Sequence, residues 1–224
     1  YEAQQMYKTV YHRCKARKQT ADSYEVLKSG SVQQLSYQEI TCGMELANML
    51  LEAFQADKVT ASSEYVGMIY AILQALPKQL QLAEPDSTAE VDECSRFVNA
   101  VLKWAHKQGA DDAAHKIHDM FANWIWQACS WKQFGKAALH YSRGTDAVAY
   151  AAALAAMNTQ AGGQEAHLFV TRAVLQILAS AHAANADRQL QYATEVLAAC
   201  KQQQLQELNG QPLIHFCDML LQAL

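Results

Sequence analysis

The sequence is poor in the residues that interrupt helices. Its 224 residues include only 3 prolines and 9 glycines. An all-β protein uses these residues at its frequent turns, and a long linker is rich in them, so the composition argues against both classes. Apolar residues make up 51% of the chain and charged residues 18%. That balance is typical of a globular protein with a substantial core and argues against disorder.

Long apolar runs and a strong charge of either sign are also absent. No run reaches the roughly 18 residues that a membrane-spanning helix needs. The longest candidate, LFVTRAVLQILASA, contains Arg172 and Gln176 and therefore predicts a buried helix of a soluble protein. The net charge of −4 gives no indication of a nucleic acid or an anionic membrane as partner. No secretory signal is visible, and we expect a cytosolic location.

Paired cysteines are missing as well. The six cysteines are scattered singly, with no C-x-x-C pair, and a disulfide framework would be unusual in a chain of this size. Four of them, Cys14, Cys42, Cys94 and Cys200, fit the apolar side of a helical pattern. We therefore expect free, mostly buried thiols in a reducing compartment.

What the sequence does contain is one helical pattern after another, without a convincing strand. The second helix is predicted from about Ala21 to Gly30, and the fourth ends before Pro77, which cannot continue it. Ser87 and Glu90 form a capping-box pattern that predicts the start of another helix. Further helices are predicted from residue 111 and at residues 40–54, 131–141, 146–157, 164–182, 187–201 and 213–224.

These helices have short connections and recur in pairs. A helical hairpin cannot bury its apolar face alone, so neighbouring hairpins stack in chain order. The sequence therefore predicts an all-α fold: an irregular α-solenoid of stacked antiparallel helical hairpins, similar to a tetratricopeptide superhelix, with residues 1-224 as a single solenoid. One globular bundle is the alternative, but many short antiparallel helices extend more readily sideways than around one centre.

Candidate catalytic and metal-binding residues are scarce. In HKIHD, His115 and His118 lie one helical turn apart, a spacing that can chelate a metal ion, and Asp119 follows them. The pattern lacks the glutamate of a metalloprotease helix, and no third ligand is fixed by spacing. Polar positions on an exposed face are therefore the preferred interpretation, and we predict no metal, no cofactor and no catalytic residue.

Other functional motifs are missing or have a simpler explanation. The sequence has no nucleophilic serine elbow and no glycine-rich phosphate loop. Trp124, Trp126 and Trp131 suggest a stacking platform for bases, but no basic residues are interleaved with them. We predict instead that these tryptophans fill the core between stacked helices.

The first helical pattern ends in a cluster of positive charge. Ala3, Met6, Tyr7, Val10, Tyr11 and Cys14 recur at helical spacing and predict one apolar stripe. Arg13, Lys15, Arg17 and Lys18 follow at the C-terminal end. Arg13 and Arg17 share a face, as do Lys8 and Lys15. The cations exceed what compensation of a helix dipole needs, so docking of an acidic partner is an alternative to simple capping.

The stretch YEAQQMYKT, followed by Arg13 and by Ser29-Gly30, resembles the start of the fourth factor of the guided entry of tail-anchored proteins pathway. The resemblance continues in order through EPDSTAE, AVLKWA, FGKAALHYSRGTD, FVTRAVLQILA and QPLIHFCDMLLQAL. It covers essentially the whole chain, and it rests on the order of these motifs.

The resemblance implies an irregular α-solenoid and a non-catalytic adaptor. In this family the N-terminal half, here about 1-105, binds the tail-anchor targeting ATPase, and the C-terminal half, here about 106-224, binds a ubiquitin-like cochaperone partner. The complex holds the ATPase nucleotide-bound and closed while a tail-anchored client is handed over. In animals a large scaffold protein of the quality-control branch also joins the assembly.

The resemblance also assigns roles to residues. It implies ATPase contacts for the basic residues of the first helix, which are Lys8, Arg13, Lys15, Arg17 and Lys18. Glu45 aligns with an acidic position that regulates the ATPase. The chain departs from the family at Gln4, where a histidine is usual, and at Ala16, where a basic contact residue can stand. Family members also carry helices before and beyond this sequence, which implies a core or fragment.

The last helical pattern places Leu213, Phe216 and Leu220 on one stripe, and we predict that this stripe binds the ubiquitin-like partner. The preceding helix or a further C-terminal segment is an alternative cover for it. Two other functions stay open: a helical-repeat scaffold of another complex, such as a proteasome-lid-like subunit, and a metal-dependent hydrolase that uses His115 and His118.

Overall fold

The computed structural model describes residues 2–80, 88–203 and 205–224. All regular elements in these residues are helices, so the predicted all-α fold is confirmed. The chain divides into two compact units, Tyr1–Met120 and Phe121–Leu224, and the boundary falls within a helix. The predicted halves 1-105 and 106-224 are assignments of function, and they stay predictions.

The first unit contains five helices and the start of a sixth. They are α1 (Glu2–Ala16), α2 (Thr20–Ser36), α3 (Ile40–Ala56), α4 (Ser63–Gln74), α5 (Ala89–Lys107) and α6 (Asp111–Cys129). Helices pack on the next helix and on the next but one, as in α1 with α2 and α3, and α3 with α5. An ion pair between Lys15 and Asp57 joins the C-terminal ends of α1 and α3, so α2 runs antiparallel to both.

The second unit follows the same pattern. A short 3-10 helix (Ser130–Gln133) precedes α7 (Phe134–Tyr141), α8 (Ala147–Gln160), α9 (Ala166–Ala179), α10 (Ala186–Gln203), α11 (Leu205–Leu208) and α12 (Pro212–Ala223). Helix α10 packs on α8 and α9, and α12 packs on α9. No helix among the described residues is long and apolar enough to cross a bilayer.

The core of the first unit is built around aromatic rings. Phe54 contacts Tyr24, Tyr65 and Trp104, with ring centroids 4.9, 5.2 and 5.6 Å away. The indole N–H of Trp104 donates to the Val59 carbonyl at 3.3 Å, which ties α5 to the end of α3. Burial of each large apolar side chain stabilises the fold by about 1.5 to 3 kcal/mol relative to exposure.

The second unit also centres on aromatic rings. Tyr141 and Tyr150 stack with centroids 5.0 Å apart, and the Tyr192 hydroxyl donates to the Tyr141 carbonyl at 2.9 Å. His140 lies edge-on against Phe121 at 4.9 Å. Burial lowers the pKa of His140 to about 4, so its imidazole is neutral at physiological pH.

The first three helices end in the same way. Lys18, Gln38 and Lys58 have φ values of +60°, +65° and +54°, at a constant spacing of 20 residues. In each case the following amide N–H donates to the carbonyl five positions earlier, at 2.8–3.0 Å. This is a Schellman-type cap, in which glycine is usual because the left-handed conformation costs other residues roughly 1–2 kcal/mol.

The helix predictions are mostly confirmed. The third pattern is α3, and its apolar residues are buried. The six cysteines are free, as predicted. The capping box at Ser87 lies outside the described residues, and α5 begins at Ala89. Trp131 is a correction: it is 51% exposed, because the 3-10 turn interrupts the helical period, whereas Trp124 is buried as predicted.

The predicted end of the second helix at Gly30 is wrong, because α2 continues to Ser36. Gly30 is buried, and a Cβ atom there would lie 2.7 Å from the Tyr7 ring and 3.0 Å from the Leu46 side chain. The lack of a side chain at Gly30 therefore allows α1 to pack closely against α2.

Gly30→Ala should lower the free energy of unfolding by about 1–3 kcal/mol, because the new methyl group displaces the Tyr7 ring. Gly67→Ala is the matched control, since nothing lies within 4 Å of a Cβ atom at this helical position. It should raise stability by roughly 0.5–1 kcal/mol. Urea denaturation of both variants measures the difference, and equal effects would contradict the close approach.

Candidate functional site

The first helix packs with one face and leaves the opposite face open. Its inner face contacts α2 and α3. Gln4 is 1% exposed on that face, and Tyr7, Tyr11 and Cys14 are half-buried. The helix therefore has a partly polar inner face, which the sequence pattern did not predict.

The predicted apolar stripe of α1 is wrong in part. Met6 is 69% exposed and Val10 is 41% exposed, and Ala3 is exposed as well. These residues lie on the outer face because Gln4 and Lys8 occupy inner positions, where they find polar partners. Buried polar groups are tolerated when they are hydrogen-bonded.

The structure brings two predicted site residues together. Lys8 forms an ion pair with Glu45 of α3, and the Gln4 amide donates to the other carboxylate oxygen of Glu45. The Gln4 amide also lies 3.5 Å from the Cys42 carbonyl. The hydrogen bond from Lys8, assisted by that from Gln4, holds the pKa of Glu45 below its usual value. This cluster fixes the N-terminal part of α1 to α3.

A second predicted cation is also held inside the unit. The Lys15 ammonium and the Tyr24 hydroxyl both donate to Oδ2 of Asp57, each at 2.7 Å. These two donors hold the pKa of Asp57 below its usual value, with Lys15 contributing most. Burial and the neighbouring Asp57 carboxylate raise the pKa of Tyr24. The charge of Lys15 is therefore engaged in joining α1, α2 and α3.

The other three predicted cations are exposed. Arg13, Arg17 and Lys18 make no ion pair with any residue that the structure describes. At 100° per residue, Arg13 lies in line with Met6 and Val10 on α1. Arg17 follows directly after the helix, where its amide N–H still donates to the Arg13 carbonyl at 3.1 Å. We call these four residues the outer stripe. It combines two exposed apolar side chains with two exposed guanidinium groups.

The outer stripe belongs to a unit whose net charge is negative. Between positions 1 and 120 the sequence has 12 Lys and Arg residues against 16 Asp and Glu residues. The two arginines are thus a local positive feature on a net negative unit. Such a feature suits an acidic partner surface, because complementary charge accelerates encounter and orients the partner.

The predicted stripe of the last helix lies on its open side. Phe216 is 48% exposed, and Leu213 and Leu220 are half-buried. The residues of α12 that pack inward are Ile214 and Cys217. Met219, which the sequence pattern did not single out, is also exposed and extends the apolar face.

The histidine motif does not lie on an exposed face. His118 and Asp119 are buried, which corrects the expectation of exposed polar positions, while His115 is half-buried. Among the described residues no group of three or more His, Cys, Asp or Glu side chains could hold a metal ion.

Comparison with known proteins supplies the family. A family model described as Golgi to ER traffic protein 4 matches residues 17–224. The chain belongs to this family. Known family members include the Golgi to ER traffic protein 4 homolog of Bos taurus, 28% identical over 80% of this chain, and that of Homo sapiens, 27% identical over 80%. Protein GET4 of Arabidopsis thaliana is 22% identical over the whole chain and 74% of its own length.

A solved structure agrees with the fold. The crystal structure of C. therm. Get4 superposes with a TM-score of 0.76 over the whole chain and 70% of that protein, at 21% identity. This confirms the predicted solenoid-type fold. The chain spans about half the length of the curated animal relatives that it matches, 51% for the Bos taurus protein and 50% for the human one.

Asp57→Ala should lower the free energy of unfolding by about 1–3 kcal/mol, because it leaves the buried Tyr24 hydroxyl without its acceptor. Urea denaturation at neutral pH measures this loss. Glu52→Ala, at an exposed position of α3, is the control and should change stability by less than about 0.5 kcal/mol.

The effect of Asp57 should also depend on pH. Its folded-state pKa lies below the ordinary value of 3.8, so its contribution is present above that pH and is lost as the pH falls through the folded-state pKa. The difference between the wild type and Asp57→Ala should therefore shrink in acid. A constant difference would contradict the role of the carboxylate.

Proposed function

We propose that this chain is a non-catalytic adaptor in the cytosolic pathway that delivers tail-anchored membrane proteins to the endoplasmic reticulum. Its N-terminal half binds the targeting ATPase, and its C-terminal half binds a ubiquitin-like cochaperone partner. In animals a large quality-control scaffold protein is a further partner. Membership of the Golgi to ER traffic protein 4 family supports this proposal.

The observation that carries the ATPase-binding proposal is the outer stripe. Exposed apolar residues next to arginines are typical of the centre of protein interfaces, where Arg is enriched and other charges are depleted. Arg13 and Arg17 present forked guanidinium groups that can bind partner carboxylates in a bidentate way. Lys18 lies just beyond them at the end of the helix and extends the positive surface.

Lys8 and Lys15 have a different role in this proposal. Each is tied to a carboxylate of α3, so they position the outer stripe rather than contribute free charge. Glu45 accepts from Lys8 beside the same helix. The family resemblance assigns Glu45 to control of ATP hydrolysis more than to affinity, and a partner that disrupts the ion pair with Lys8 would also reach this carboxylate.

The partner-binding face of the C-terminal half is the open side of α12, with Leu213, Phe216 and Leu220. Phe216 and Met219 contribute the exposed apolar area that a partner would cover. The two alternatives, a scaffold of another complex and a metal-dependent hydrolase around His115 and His118, have no specific observation in their favour.

Reversing Arg13 and Arg17 to Glu should weaken binding of the purified ATPase by about 1–3 kcal/mol, roughly 5- to 150-fold in Kd. The loss should be larger at low salt, because salt screens exposed charges beyond a Debye length of about 8 Å at physiological strength. Titration calorimetry at two salt concentrations measures it.

The matched control reverses two exposed arginines of the second unit, Arg143 and Arg172. It changes the net charge equally and should leave ATPase affinity nearly unchanged. If both double variants lose the same affinity, only the net charge matters for ATPase binding. If neither loses affinity, the basic end of α1 is a solvated helix terminus and not a docking surface.

Phe216→Ala should weaken binding of the ubiquitin-like partner by about 1–2 kcal/mol while it leaves the melting temperature nearly unchanged, because the ring is half exposed. Ile214→Ala on the same helix is the control: it should destabilise the fold by about 2–5 kcal/mol, since its side chain is buried. A Phe216→Ala protein that binds normally but melts earlier would identify the ring as core.

A further inference from the structure

A cavity of about 410 Å³ lies between the C-terminal ends of α3 and α5 in the first unit. Three lysines line it: Lys58, which follows α3, and Lys103 and Lys107 near the end of α5. Gln55 and Gln108 add amide groups that can donate hydrogen bonds. The volume lies within the range of small-ligand pockets.

The floor of this lysine cavity is fixed by packing. Trp104 and Phe54 are among its lining residues, with ring centroids 5.6 Å apart, and both side chains are buried. The Trp104 indole donates to the Val59 carbonyl, so the wall between the two helix ends is held by a hydrogen bond. The wall of the cavity is therefore tied to the packed core of the first unit.

The positive charge of the cavity has no counter-charge in the part of the chain that the structure describes. No acidic side chain lines the cavity, and none of the three lysines forms an ion pair with a described residue. Lys103 and Lys107 are four positions apart on one helix, a spacing at which like charges repel. The mutual repulsion would be relieved by a bound anion.

The nearest carboxylates in sequence are already engaged. Asp57 precedes Lys58 but accepts from Lys15 and Tyr24. Asp111 follows the end of α5 but lies 2.8 Å from the His106 imidazole. Neither of these two carboxylates therefore forms an ion pair with a lysine of the cavity.

Dipole compensation does not account for all three lysines. A cation at a helix C-terminus contributes about 0.3–1 kcal/mol, and α5 already has His106 and Lys107 in its last turn. Lys58 holds a left-handed conformation with φ +54°, where glycine would cost less.

The chemistry favours a compact anion over a long one. The surrounding unit carries more acidic than basic residues, which would repel a nucleic acid or an anionic membrane that extended beyond the cavity. The buried Trp104 offers no exposed face for base stacking. The cavity contains no arginine, and its lysines would act as point charges toward a phosphate group.

We propose that the lysine cavity binds a compact phosphate-type group, carried either by a free phosphate compound or by a phosphorylated side chain of a partner polypeptide. A phosphate monoester carries close to two negative charges at neutral pH and three acceptor oxygens, which suits a cavity lined by three lysines. The cavity shares no residue with the outer stripe, so this proposal stands apart from ATPase binding.

The test uses inorganic pyrophosphate and the whole chain labelled with nitrogen-15. The indole N–H signal of Trp104, identified by its loss in Trp104→Phe, reports on the cavity wall. At constant ionic strength, pyrophosphate should shift this signal in a saturable way. Lys103→Gln combined with Lys107→Gln should weaken binding by about tenfold or more, as expected when charged hydrogen bonds are lost.

Lys58→Gly should change the affinity for pyrophosphate and the stability of the fold in opposite directions. It removes the charge and relieves the left-handed lysine, so the variant should unfold at a higher urea concentration yet bind pyrophosphate several-fold more weakly. Gln38→Gly is the matched control, because it relieves the same conformation without changing a charge. It should also be more stable, with unchanged affinity.

A second binding experiment distinguishes a free phosphate compound from a phosphorylated polypeptide as the natural ligand. A short phosphoserine peptide that binds at least about tenfold more tightly than pyrophosphate would assign a phosphorylated polypeptide as the source, and the reverse order would assign a free phosphate compound. The proposal is overturned if pyrophosphate causes no saturable shift, or if Lys58→Gly and Gln38→Gly bind it equally. A peptide with Glu in place of phosphoserine that binds as tightly would overturn the assignment to phosphate.

Discussion

The exposure of the outer stripe depends on how α1 packs against α2 and α3. The Tyr7 ring lies where Gly30 has no side chain, and this contact sets the distance between α1 and α2. Gln4 near the N-terminal end of α1 and Lys8 at its middle both contact Glu45 of α3, and Lys15 near its C-terminal end pairs with Asp57, which follows α3. Contacts at both ends fix the rotation of the helix about its axis, so the residues on its opposite side must face outward.

Much of the fold follows from local patterns in the sequence. The apolar spacing of α3 is regular because both sides of that helix pack against neighbours, and its start and end are therefore readable. Short loops and scarce proline predict antiparallel hairpins. Gly30 was misleading for the opposite reason: a glycine within a helix resembles a helix end in sequence, and only the distance to Tyr7 shows that it permits close packing.

The inner face of α1 could not be predicted from local patterns, because its polar residues are satisfied by partners far away in the sequence. Gln4 and Lys8 meet Glu45, and Lys15 meets Asp57, at separations of 37 to 42 residues. A periodicity rule assigns apolar residues to the inside and so placed Met6 and Val10 there. One signal was available: Gln4, Lys8 and Lys15 share the face of Tyr7 and Tyr11 on a helical wheel.

The first unit contains two kinds of positive side chain: those paired with a carboxylate of the fold, and those without such a partner among the described residues. A lysine that reaches a carboxylate of the next helix but one loses its attraction for other molecules, since its charge is neutralised at short range. The arginines of the outer stripe and the lysines of the cavity have no such partner among the described residues. Residue type therefore says little about binding in this chain. A positive side chain is free to bind a partner only where the fold does not bring a carboxylate within reach. Lys15 has such a carboxylate, whereas Arg17 and Lys58 have none among the described residues.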